Sequence, residues 1–118
     1  AGIVALCTAA LDDRIDHTVT VGSLASFISD TPFENQRLGI LPNGIIRDVG
    51  DVSHIAAMIA PRRLTIIGGV KGSGVPLSAA ELEEQFSPTE KVYELTNAAD
   101  LFVKFPTLSN ADIVQKLN

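Results

Sequence analysis

The run Arg63 to Gly69, RLTIIGG, constrains the fold more than any other stretch. Leu64, Thr65, Ile66 and Ile67 are apolar or β-branched without interruption, and two glycines end them. A strand with one wet face alternates, whereas a continuous run suits a parallel strand covered by helices on both faces. Pro61 closes the segment before it, because the residue preceding a proline is pushed out of helical geometry. That segment, Asp51 to Ala60, places Val52, Ile55, Ala56 and Ile59 on one helical face, with Asp51 as its natural N-cap.

The remaining punctuation alternates in the same way. Residues 1–14, AGIVALCTAALDDR, read as a helix packed on nearly all sides, ended by Asp12-Asp13-Arg14. HTVTVGS reads as a short strand stopping at Gly22, and LFVKF, residues 101–105, as another halted by Pro106. Residues 24–50 have weak periodicity, Pro32, Pro42 and three glycines, and read as a long excursion with short helical pieces. Ser78 with Glu81, Ser87 with Glu90 and Ser109 with Asp112 each have the spacing of a capping box, so each predicts a helix start. Strands alternating with helices imply parallel pairing and right-handed crossovers. The expectation is one α/β domain over residues 1–118, a three-stranded parallel sheet with flanking helices.

Composition narrows the function classes. The chain of 118 residues is 46% hydrophobic and 19% charged, which suits a packed core and not a disordered segment. Nine basic against 14 acidic residues, net −5, argue against a nucleic-acid surface. Arg62-Arg63 reads as a solvated corner between helix and strand. No apolar run approaches the roughly 20 residues of a membrane span. Cys7, the single cysteine, reads as a small buried hydrophobe. Met58 is the sole methionine, so a chain opening on Ala1 reads as a processed form or a fragment.

Residues 45–69, IIRDVGDVSHIAAMIAPRRLTIIGG, resemble a segment of acetyl-xylan-esterase-like and dienelactone-hydrolase-like α/β hydrolases. In that family a Gly-Asp pair, a short helix, an Ala-Pro-Arg corner and the strand bearing the catalytic acid follow one another. Gly50-Asp51, Ile55-Ala56-Ala57, Ala60-Pro61-Arg62 and Leu64 to Gly69 carry the likeness here. AGIVALCTAALDDRI is similar to the helix that follows the family's nucleophile elbow, with Ala1-Gly2 as the elbow's last positions. The resemblance implies the C-terminal part of an α/β-hydrolase fold.

On that register the triad positions are lost. The nucleophile serine falls just before Ala1. Gly72 stands at the expected acid position, and Ser109, with Thr107, in the expected base region. A triad needs a base beside the nucleophile and an acid to orient it. His54 is the one weak candidate for a replacement base, while His17 lies at the wrong end of its strand. Two histidines and scattered acids make no metal-ligand spacing. GGVKGSG lacks the Lys-Ser/Thr ending of a phosphate loop and the placement of a dinucleotide fingerprint, so no cofactor is expected.

The resemblance therefore implies a degenerate or fragmentary ester hydrolase, not catalytically competent alone. Two alternatives stand beside it: a piece of an active acetyl-ester hydrolase with its nucleophile before Ala1, and a small α/β binding or assembly module. Three parallel strands leave two open edges. Residues 18–21 and the helix of residues 2–11 are the expected surface for a homo-oligomer or a partner segment.

Overall fold

The computed structural model describes residues 1–36, 39 and 41–117. Its order is α1 (Gly2–Leu11), β1 (His17–Val21), α2 (Ile45–Asp48), α3 (Val52–Ala57), β2 (Arg63–Ile67), α4 (Ala79–Gln85), α5 (Ser87–Leu95), β3 (Phe102–Phe105) and α6 (Asn110–Leu117). A 3-10 turn, Ala99–Leu101, leads into β3. The sheet is parallel throughout in the order β1-β2-β3, as the alternation of elements predicts. Among the described residues no helix is long and apolar enough to cross a membrane.

The register puts Thr18, Leu64 and Phe102 in one row and Thr20, Ile66 and Lys104 in the next. Side chains on a strand alternate between faces. On this face Leu64, Ile66 and Phe102 join Leu6, Ile55, Ile59 and Tyr93 in one core. β2 is buried from Leu64 to Ile67, as its continuous apolar run requires. Val52, Ile55, Ala56 and Ile59 are all buried, so the helical face read before Pro61 is the one that docks.

Three sequence expectations need correction. First, α1 is not packed on nearly all sides. Only Leu6 and Ala9 are buried; Val4 is exposed, Leu11 is 86% exposed, and Cys7 is half-buried. Second, Ser87 does not cap a helix. Phe86 both ends α4 and starts α5, its carbonyl accepting from Glu90 N–H, so Ser87 is already helical. Ser78 and Glu81 do form the reciprocal box. At α6 the Ser109 hydroxyl accepts from Asp112 N–H but donates to the Asp112 carboxylate, so the acid does not reach back to the backbone.

Third, Arg62 is not part of a solvated corner. Its Nη1 donates to the carbonyls of Asp12 and Ile15 and its Nη2 to Ala9, closing the C-terminal end of α1. Those carbonyls have no partner within the helix, and a cation there also opposes the helix dipole. Only Arg63 faces solvent. Across the core, Lys104 lies 4.8 Å from the Phe102 ring centre and joins β3 to Glu90 of α5 at 2.9 Å.

Candidate functional site

The loops that follow β1 and β2 meet the start of α3 and the flank of α4 around an open groove of about 790 Å³. This is the carboxyl end of the strands, where open parallel sheets bind ligands. Ser26, Asp51, His54 and Gly72 all line it.

Asp51 is its most connected group. One carboxylate oxygen accepts from Phe27 N–H at 2.7 Å and Val52 N–H at 2.8 Å. The other accepts from the Ser26 hydroxyl at 2.5 Å and Gln85 Nε2 at 3.4 Å. The predicted N-cap is therefore also a tie between the loop after β1, α3 and α4. His54 completes the cap, its Nδ1 accepting from Asp51 N–H at 3.0 Å. Gly50, at φ +129°, lets the ring lie this close: a Cβ there would sit 2.8 Å from His54 Cγ. That backbone region disfavours side chains.

Ser, Asp and His thus come together without forming a relay. Ser26 donates to the carboxylate itself, and His54 bonds to the backbone of Asp51. In a triad the imidazole stands between hydroxyl and carboxylate. Here the imidazole Nδ1 is taken by the Asp51 amide, and no hydrogen bond joins His54 to a hydroxyl among the described residues. His17 is remote, at the opposite end of β1, where Nε2 lies 3.0 Å from Thr65 Oγ1. Burial first, then the charge of Arg63, hold its pKa below the ordinary histidine value.

Gly72 faces the groove but has no room for an acid. A Cβ on Gly72 would lie 2.7 Å from two ring carbons of Phe33 and 2.8 Å from Ser29 Oγ. The obstruction is steric, since Gly72 has no positive φ. Ser109 and Thr107 do not line the groove; Thr107 instead packs on Gly68, and Ser109 is exposed at the start of α6. The expected acid and base positions are not brought to one place.

The glycine loop is braced from within. Lys71 N–H donates to Val75, Gly74 N–H to Lys71, and the Gly72 carbonyl accepts from Glu34 N–H. Lys71 pairs with Glu81 at 2.7 Å. That contact, with the Ser78 amide, holds the Glu81 carboxyl down at about 2. Among the described residues no group of three His, Cys, Asp or Glu is placed to hold a metal ion.

Nothing in the sequence signalled Ser26, Ser29, Phe33 or Gln85. All four act on residues far along the chain, and three lie in the aperiodic excursion. No family model, no curated protein and no solved structure matches this chain.

Proposed function

We propose that this chain is a degenerate α/β-hydrolase-like domain of the acetyl-xylan-esterase-like type that does not hydrolyse esters on its own and serves as an assembly module. The observation that carries this reading is the packing at Gly72. The space beside the expected acid position is filled by Phe33 and Ser29. A site that had lost its acid by one substitution would keep the carboxylate's vacancy. Here the neighbouring excursion has closed over it. His54 and Ser26 are likewise committed to the α3 cap and not to each other.

The parallel β1-β2-β3 order agrees with this ancestry, although fold alone carries no chemistry. The test is turnover of p-nitrophenyl acetate by purified protein. No rate above buffer is expected, and His54→Ala leaves the reading unchanged. A rate that co-purifies with the chain and disappears in His54→Ala overturns the proposal. The assembly role falls to residues 18–21, on one of the two sheet edges left without a neighbour among the described strands.

A further inference from the structure

One wall of the groove is held differently from the rest. Ile28, Ser29, Asp30 and Thr31 form it. Among the described residues, the segment from Ile28 to Phe33 makes no hydrogen bond to any residue beyond Ser26. Its bonds are its own. Ser29 Oγ donates to the Thr31 carbonyl at 2.7 Å and accepts from Thr31 N–H at 3.3 Å, and Ile28 N–H donates to Ser26 Oγ at 3.0 Å. Ile28, Asp30, Thr31 and Pro32 are exposed. The segment is braced on itself and not on the body of the domain.

Its two ends are attached unequally. At the near end Phe27 is buried in the core. There the Phe27 N–H and the Ser26 hydroxyl both bond to Asp51, and Ala25 N–H donates to the Val70 carbonyl at 3.0 Å. At the far end the attachment is one backbone bond and one ring. Glu34 N–H donates to the Gly72 carbonyl at 2.8 Å, and the half-buried Phe33 ring seats on Gly72. Asn35 follows at φ +56°, a left-handed position that asparagine tolerates and where a loop can pivot. The absent Cβ of Gly72 is what admits the ring, since a Cβ would lie 2.7 Å from two of its carbons.

Stability is spread unevenly over a fold, and segments with few buried contacts and exposed backbone open while the remainder stays native. Releasing the far end breaks one hydrogen bond and uncovers one ring. Releasing the near end takes Phe27 out of the core and strips Asp51 of two donors.

From these contacts we infer that residues 28–34 are a strap that closes one wall of the groove. Ser26-Phe27 is its fixed hinge, and Phe33 with Glu34 on Gly72 is its latch. Open, the strap carries Phe33 off Gly72 and widens access to the groove, while Asp51, α3 and the glycine loop keep their places. The strap is independent of the hydrolase ancestry proposed above.

Native-state amide exchange at low urea concentrations tests it on the folded chain. An amide freed by a small local opening exchanges at a rate nearly independent of urea, whereas one freed by global unfolding accelerates along the unfolding slope. The Glu34 amide is expected to be at least about a hundredfold less protected than the Phe27 amide, and insensitive to urea. Phe33→Ala, with folding checked by circular dichroism, should speed exchange at Glu34 by at least about fivefold. Equal protection and equal urea slopes at Glu34 and Phe27 would overturn the strap. So would urea-insensitive exchange at Phe27, which removes the hinge, or a Glu34 rate that Phe33→Ala leaves unchanged, which removes the latch.

Discussion

The Ser26 hydroxyl donates to the carboxylate of Asp51, 25 residues further along the chain. This bond ties the loop leaving β1 to the first turn of α3. The same carboxylate caps Val52 N–H and holds Phe27 N–H. Asp51→Asn keeps the volume but loses the charge and half of the acceptors. It is expected to cost about 2–3 kcal/mol in urea unfolding, against about 1 kcal/mol for Ser26→Ala. In the double variant the losses should fall short of additive, because both remove the same contact. Strict additivity would show that the hydroxyl contributes nothing through Asp51.

At Gly72 the outcome depends on Phe33. Gly72→Ala drives a methyl against the ring and Ser29 Oγ, and overpacking of this type costs about 1–3 kcal/mol. Gly72→Asp should be worse, since it also brings a carboxylate against an aromatic ring. Phe33→Ala alone opens space and destabilises too, but combined with Gly72→Ala it should recover part of the loss. Thermal melts of the four proteins decide this. No recovery in the double variant would mean the obstruction lies elsewhere than at the ring.

Arg62 closes α1 through three carbonyls, and only a fork of donors can reach all of them. Arg62→Lys is therefore not conservative. It should lose most of what Arg62→Ala loses, about 2–4 kcal/mol by denaturant unfolding. Amide exchange should accelerate first in the last turn of α1. Equal stability of the lysine variant and the wild type would show that a point charge suffices.

One buried group has no partner. Among the described residues, Thr18 Oγ1 is the side-chain atom buried without a hydrogen bond. Valine has nearly the same shape and leaves nothing unsatisfied. Thr18→Val should therefore stabilise the domain by about 1 kcal/mol, read as a higher urea midpoint at unchanged slope. A destabilised variant would mean that the hydroxyl finds a partner in solution, such as a bound water.

The contrast between legible and illegible features follows from distance along the chain. β2 could be read because its burial depends on its own apolar run. The α3 face could be read because helical spacing sets it. The cap at Asp51 was local and therefore visible, whereas Ser26 and Gln85, which share that carboxylate, were not. At Ser87 a correct spacing misled, because Phe86 serves both helices and leaves no break for a cap. α1 misled for the opposite reason. Alanine, valine and leucine on every side give no charged face to mark as exposed, so openness at Val4 and Leu11 had no signature. Gly72 was legible as part of a glycine loop, but the Phe33 ring packed beside it comes from the least periodic part of the chain.

Tyr93 gives a direct optical test of the core, because it is the only tyrosine in the chain. It is fully buried, and its hydroxyl donates to the Arg62 carbonyl at 2.6 Å. Burial pushes the phenol from 10.0 up to about 12, with Arg62 opposing. A group whose pKa is raised by folding favours the folded state below its unfolded pKa. That contribution is full below pH 10 and is lost as pH rises toward 12. Phenolate absorbance should thus appear together with loss of helical circular dichroism, in one alkaline transition. Tyr93→Phe removes the titrating group and should move that transition to higher pH. It should also cost about 1 kcal/mol at neutral pH, since the Arg62 carbonyl loses its donor. A phenol that ionises near pH 10 while the circular dichroism stays native would place the Tyr93 hydroxyl in solvent and overturn this account of the core.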